Sequence, residues 1–513
     1  MCKMCEEGRP QDHTRAQRSS RRDFLKASAA TGAVAGLTLF NASDASAGAQ
    51  DGNAPEDHGR PGRRYLIRGG HVMSMDPAVG DFAVADVLVE GKTIAAVGPD
   101  LKASGAGVLD ARGHIVMPGF VDTHHHQFET ALRSFLADGL LFDDGKPHGA
   151  INYFGHILGK FAPVYRPSDV YINELFGSLS QLDAGVTTVH DISQIHHSPE
   201  HSDAAIKGIA DSGRRAAFGY FESAGGVPGN QYPADARRLK KQYFSSSDQL
   251  MTMIMGGEIY LPGFETAWEI GRALGIPIAA HIVGSFGMGP TFDALAASGQ
   301  FGPDNLFVHM TGMSDMSWDK VAGAGASVSL AVPIEMNMRH GLPPILKAMS
   351  LGIQPSLSVD VECTLTADMF TQMRTAMALQ RALVNQLALD IGNPPDLPEL
   401  LTTRDVLRFA TMEGAKDLRL DHKIGSLTPG KEADIILLDA QAINVAPLNV
   451  VPGAVVSLME RSNVETVIVA GRIRKWKGRL VDVELNRLRR QLEESRDYLF
   501  DAAGIAQNLF RPN

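Results

Sequence analysis

GFVDTHHH, residues 119–126, is the stretch on which the fold turns. An apolar start running into polar residues reads as a strand buried along its length and emerging at an open rim. Residues two apart on a strand face the same side, so His124 and His126 point together and His125 points away. Working outward, VTTVHD (186–191), AAFGYF (216–221), MTMIMGG (251–257), IPIAAH (276–281), LFVHM (306–310), ASVSLAV (326–332) and QPSLSVD (354–360) read as further short strands. Amphipathic stretches lie between most of them, for example FETAWEIGRALG (264–275) and GLPPILKAMSLG (341–352). Eight strands alternating with helical patterns over about 300 residues predict an α/β fold, a TIM-like (β/α)₈ barrel. No G-x-G-x-x-G or Walker loop follows any strand, which counts against a nucleotide-binding open sheet.

The ends of these strands carry the chemistry. His124 and His126 close the first strand, His281 closes the fifth, His309 lies near the end of the sixth and Asp360 closes the last. Barrel active sites are built at the C-terminal rim, so four strands bring imidazole or carboxylate to one place. Imidazole nitrogens with a carboxylate suit Zn²⁺ or Fe²⁺, and an open coordination position would hold water.

The run VMPGFVDTHHHQFETALRS (116–134) resembles the opening of the amidohydrolase superfamily, where a strand ending in H-x-H supplies two metal ligands. The order that follows, His281, His309 and then Asp360 within SLSVD, looks like its mononuclear subtype. The tail TTRDVLRFATMEGAKDLRLDHKIGSLTPGKEADIILLD (402–439) resembles the branch of cytosine and guanine deaminases and triazine hydrolases. The resemblance implies that His124, His126, His281 and Asp360 hold one divalent ion, Zn²⁺ first and Fe²⁺ second. It implies that His309 contacts the attacking water and the substrate, and it points to a homo-oligomer. Asp360 would take the water's proton and return it to the leaving nitrogen. Related subtypes bridge two metals through a fourth-strand lysine or glutamate; MTMIMGGEIYLPG (251–263) has no lysine and only Glu258 as a candidate, so one ion is expected.

Two departures from that pattern bear on the reaction. Many deaminases of this branch carry H-x-x-E on the fifth strand, with the glutamate moving a proton to a ring nitrogen; here the motif reads His281-Ile282-Val283-Gly284. The later P-x-S-N pattern reads Pro333-Ile334-Glu335-Met336. Glu258, Glu335 and more weakly Glu129 are the carboxylates that would stand in, with Glu258 and Glu335 as substrate-binding candidates. A solvated loop acid or a helix N-terminal charge is the plain reading of each. His190 and Asp191 are read as pocket-lining or as a bonded core pair, and HIVGSFGMG (281–289) as a lid or a tight turn.

The favoured activity is hydrolysis of a non-peptide C–N bond in a small amide, urea, carbamate or cyclic amide. The alternative is a deaminase or dechlorinase of a nitrogen heterocycle, and a third is an exported binding protein that has lost turnover.

The rest of the chain frames this. Hydrophobic residues make up 44% and charged residues 21% of 513, ordinary for a soluble globular enzyme. A net charge of −10 with no basic stripe argues against nucleic acid as a partner. Three cysteines make no disulfide framework; Cys2 and Cys5 form a lone CxxC, and Cys363 reads as a buried thiol. SRRDFLK (20–26), an apolar run to Phe40 and Ala45-Ser46-Ala47 read as a twin-arginine-type export signal. Its apolar run is too short and too rich in Gly and Ala for a stable membrane span. The expected organisation is a signal at 1–47, a flexible leader at 48–62 and a barrel at 119–423. Strand-rich flanks at 63–118 and 424–480 would form a composite β-sandwich, followed by a helical extension at 481–513. Export would deliver the protein to the periplasm or beyond.

Overall fold

The computed structural model describes residues 58–227, 229–392 and 396–510. The export signal, Cys2 and Cys5 lie outside the described residues, as does most of the leader.

In chain order, five strands come first: β1 (Arg64–Met73), β2 (Asp81–Glu90), β3 (Thr93–Gly98), β4 (Gly107–Asp110) and β5 (His114–Pro118). The barrel follows with β6 (Phe120–His125), β7 (Val186–Ser193), β8 (Arg215–Tyr220) and β9 (Met251–Met255). It continues through β10 (Ile278–Val283), β11 (Asn305–Thr311), β12 (Ser327–Leu330) and β13 (Ser356–Leu357). The last group is β14 (Ile435–Asp439), β15 (Val464–Val469), β16 (Arg472–Trp476) and β17 (Arg479–Leu480).

Strands β6 to β13 pair in sequence order, all parallel. Every residue of β6, β7, β8, β10 and β11 is buried, which is why these strands read as unbroken apolar runs rather than as alternating patterns. The circle closes just past β13. His125 bridges Asp360, the Asp360 N–H donates to His124 O at 2.9 Å, and the His126 N–H donates to Asp360 O at 2.8 Å. One core cluster draws Val121, Ala217, Ile254, Ala279 and Leu306 from five strands together with Leu418, Leu420 and Ile424. The barrel is therefore packed rather than hollow.

The flanking strands meet in one nine-stranded sheet, with β5 and β14 as the antiparallel junction between the two halves of the chain. The sheet curls. Thr93, at the start of β3, bridges Glu432, just ahead of β14, and the Tyr65 hydroxyl donates to Gly471 O at 2.9 Å. Its two ends so enclose a common apolar cluster that includes Ile67, Val87, Ile94, Ile435 and Ile468.

This sheet is fixed to the barrel in two ways. Gly119 joins β5 to β6 so tightly that a Cβ there would lie 2.2 Å from the Thr187 side chain. Arg215 of β8, fully buried, donates to Asp434 at 2.8 and 3.0 Å and to Glu432 at 2.6 Å.

The helix Leu485–Ala502 lies against the barrel helix Pro167–Asp183. Asn173 donates to Ser495 at 3.2 Å, and the Arg166 guanidinium covers the Tyr498 ring at 3.4 Å. Among the described residues no helix is long and apolar enough to cross a membrane.

Candidate metal centre and substrate cavity

Strand alternation sets the centre. His124 and His126 leave β6 on one side, and their Nε2 atoms lie 3.0 Å apart. His281 reaches in from β10, its Nε2 2.9 Å from His124 Nε2. Asp360 Oδ1 lies 3.7 Å from His124 Nε2 and 3.6 Å from His126 Nε2. All four residues are buried.

The tautomers follow from the outer bonds. His126 Nδ1–H donates to Ile192 O at 2.8 Å, and His281 Nδ1–H donates to Glu258 Oε1 at 2.5 Å. Each of these rings therefore turns a lone pair inward at Nε2. Burial and the neighbouring imidazoles push His124 and His126 well below the ordinary histidine value, so both stay neutral. His124 Nε2, about 3 Å from both of those lone pairs, can donate to one of them or turn its own lone pair to a cation shared by all three. Tetrahedral Zn–N bonds of about 2.0–2.1 Å put donor atoms about 3.4 Å apart, the spacing this set approaches. The arrangement can hold one divalent ion.

Glu258 and Glu335, read from sequence as substrate contacts, are both fully buried behind histidines. Glu258 takes the His281 ring through Oε1 and the His281 backbone N–H through Oε2 at 3.3 Å. Burial pushes the Glu335 carboxyl up to about 8, so the neutral acid donates its O–H to His309 Nδ1 at 3.1 Å, accepts from the Ala331 N–H at 2.8 Å and leaves the ring proton on Nε2. Neither is among the residues lining the cavity. Such outer partners orient a histidine and fix its tautomer. His309, aimed in this way, brings Nε2 to 3.6 Å from Asp360 Oδ2.

The cavity above the centre has a volume of about 40 Å³. Its floor is His126, His281, His309 and Asp360; its walls include Tyr153, Phe154, Tyr260, Phe286, Met338 and His340. Phe154 meets Phe286 edge-on at 5.0 Å, and Tyr260 meets Phe286 at 5.5 Å. The Tyr153 hydroxyl donates to Glu129 Oε1 at 2.7 Å, and burial raises that carboxyl to about 8. Glu129 thus serves a wall tyrosine.

His190 and Asp191 are core groups: His190 Nδ1–H donates to Thr123 O at 2.9 Å, and Asp191 accepts from the Gln127 N–H at 3.2 Å. Cys363 is buried. The glycine-rich segment after β10 is a tight turn, with a short 3₁₀ helix at Gly284–Phe286. A Cβ at Gly284 would lie 2.8 Å from Thr311 O and 3.1 Å from Gly312 Cα. That position is closed to any side chain by backbone, so the missing glutamate is excluded sterically. Tyr260 and His340 escaped the sequence reading because they stand on loops, where no period marks them, and Tyr153 because it opens a short helix, Tyr153–Phe161, outside the strand ends.

The amidohydrolase family model matches residues 115–474, and the model of the twin-arginine translocation signal matches residues 18–38. The chain is 27% identical over 424 residues to a 5'-deoxyadenosine deaminase of Methanosarcina mazei, covering 80% of this chain and 92% of that protein. It is 24% identical to a 5-methylthioadenosine/S-adenosylhomocysteine deaminase of Acetivibrio thermocellus, over 71% of this chain and 82% of that one. An adenosine deaminase from Xanthomonas campestris with bound zinc superposes with a TM-score of 0.73 at 23% identity, covering 86% of this chain and 99% of its own. A variant of the atrazine chlorohydrolase from Arthrobacter aurescens, complexed with zinc and atraton, also gives 0.73, at 20% identity over 84% and 100%. With this barrel, this rim and a match over most of its length, the chain belongs to the amidohydrolase family, metal-dependent hydrolases of non-peptide carbon–nitrogen bonds in small molecules.

Proposed function

We propose that His124, His126, His281 and Asp360 hold one ion, Zn²⁺ ahead of Fe²⁺, and that the protein hydrolyses a carbonyl C–N bond. The substrate would be a small amide, urea, carbamate or cyclic amide. The observation that carries this is the turn after His281. Gly284 is packed against Thr311 O, and Asp360 is the one carboxylate among the cavity-lining residues. Attack on a carbonyl needs one group that takes a proton from water and gives it to the leaving nitrogen, and a single carboxylate can do both. Deamination of a heteroaromatic ring also needs a proton delivered to a ring nitrogen, and Glu258 and Glu335 are both engaged with histidines.

A divalent ion in this centre supplies Lewis acidity and makes water a nucleophile near neutral pH. Asp360 accepts the water proton at its free oxygen, Oδ2, which has no hydrogen-bond partner. It then returns that proton to the leaving nitrogen. His309, neutral because burial holds it well below the ordinary value, donates from Nε2 to the carbonyl oxygen as charge grows there. Glu335 keeps the ring in place for that bond.

The deaminase relatives favour the second reading, release of ammonia from a nitrogen heterocycle. One screen separates the two. The mature protein, reconstituted with Zn²⁺ or Fe²⁺, is given amides, ureas, carbamates and cyclic amides alongside aminopurines, aminopyrimidines and triazines. Carbonyl C–N cleavage is expected. Ammonia release from the heterocycles without carbonyl cleavage would overturn the proposal.

A further inference from the structure

His340 stands in the cavity wall with no structural bond from its ring. The loop that carries it is held by other means. Met338 O accepts from the Leu141 N–H at 3.1 Å, Arg339 donates to Asp144 at 2.7 Å, and the Thr311 hydroxyl donates to His340 O at 2.9 Å. The imidazole is 5% exposed, its Nδ1 has no partner, and it lies beside His309 with ring centroids 4.7 Å apart. Several other buried histidines commit a ring nitrogen to a backbone carbonyl, as His190 does to Thr123 and His197 to Ala162, while His125, away from the cavity, bonds neither. A buried polar atom left free calls for an explanation, and one that borders a cavity is explained by what enters it.

The wall around His340 narrows the class of what enters. Among the lining residues there is no lysine, arginine or glutamate, and Leu141, Leu158, Val283 and Met338 fill the spaces between the aromatic rings. A carboxylate buried against that wall, away from the floor, would lose its hydration with no lysine or arginine to replace it. A flat apolar ring would meet Phe154, Tyr260 and Phe286 in favourable edge and face contacts. Burial pushes His340 down to about 3, so its ring offers one donor and one acceptor at neutral pH.

We propose that His340 is the specificity-determining residue of this pocket: it hydrogen-bonds a polar atom flanking the scissile carbonyl of an uncharged substrate, whose flat apolar body rests on Phe154, Tyr260 and Phe286. The inference rests on the carbonyl C–N reading above. It favours rings with a second polar atom next to the reacting carbonyl, such as cyclic ureas and imides bearing an aryl group.

The test uses the zinc-loaded mature protein and its His340→Phe and His340→Gln variants. The probes are aryl-substituted hydantoins, the matching aryl lactams without the second carbonyl, and the same hydantoins bearing a carboxylate. The parent should prefer neutral hydantoins to carboxylated ones. His340→Phe should raise KM for the neutral hydantoins by about tenfold or more, the scale of one lost hydrogen bond. It should leave the lactams nearly unchanged, with metal content and Tm retained, and His340→Gln should recover part of the loss. Unchanged KM, equal losses on hydantoins and lactams, or preference for carboxylated rings would overturn the inference while carbonyl cleavage stands. Ammonia release from aminopurines with no carbonyl compound cleaved would overturn the earlier reading itself.

Discussion

Asp360 bears the largest share of the chemistry assigned to any one side chain. Asp360→Asn should retain part of the metal, because an amide oxygen still reaches the ion, while turnover falls by about 10²–10⁴-fold. The check is kcat alongside metal content; a variant within tenfold of the parent would remove Asp360 as the base. Glu258 acts one bond further out, and Glu258→Gln should weaken metal affinity by about 10–100-fold, read by competition with a chelator. The neutral amide still fills the space but no longer anchors the His281 ring with a charge-assisted bond. These two residues also mark what a sequence can reveal. Asp360 was legible because SLSVD ends a strand at the rim, where chemistry gathers. Glu258 was visible as a carboxylate near the rim, but its role was not. Its partner His281 lies 23 residues away, and the contact exists only because β9 and β10 are neighbours. His340 was invisible for a similar reason: its meaning lies in an unbonded nitrogen and a cavity.

At the scale of elements, buried parallel strands announce themselves through β-branched runs, so the eight strands of the barrel were readable within a residue or two at most ends. The flanking sheet was harder. β4 is four residues long, β5 runs into β6 through Gly119 alone, and neither β4 nor β5 was read as a strand of its own. Nor does any local pattern tell that Arg215 of β8 will face Glu432 and Asp434. That junction carries a stability prediction. Arg215→Met leaves two buried carboxylates without their guanidinium and should cost about 3–5 kcal/mol, seen as a lower urea midpoint. A loss below about 1 kcal/mol would mean that the pair merely balances its own desolvation. The same junction gives a pH dependence. Burial alone would raise the Glu432 carboxyl, but Arg215 and Lys92 outweigh it and hold the group below its ordinary value of 4.5. A depressed carboxylate stabilises the fold above its unfolded value, and the contribution disappears as the pH falls through the lower folded value. The parent should therefore lose urea resistance on acidification below about pH 4.5, and Arg215→Met should lack this component.

For the whole molecule, the signal at 18–38 carries the protein out by the twin-arginine route. A receptor reads the arginine pair itself, so replacing Arg21 and Arg22 with lysine should leave uncleaved precursor in the cytoplasm, scored by fractionation and immunoblot. Unchanged export would point to a general secretory signal instead. The proposed centre also draws its donors from positions 124 to 360, across most of the barrel, and three of them, His124, His126 and Asp360, form the seam where the circle of strands closes. An ion held there ties the first strand to the segment following the last. Its presence should therefore be recorded in backbone amides rather than only at the rim. In deuterated solvent, the amide hydrogens of His126 and Asp360 should exchange among the slowest in the loaded protein. After chelation they should be released early, ahead of those in β8 and β9 on the opposite wall. The ring of strands would then open like a clasp, at the one place where no continuous run of chain spans the join.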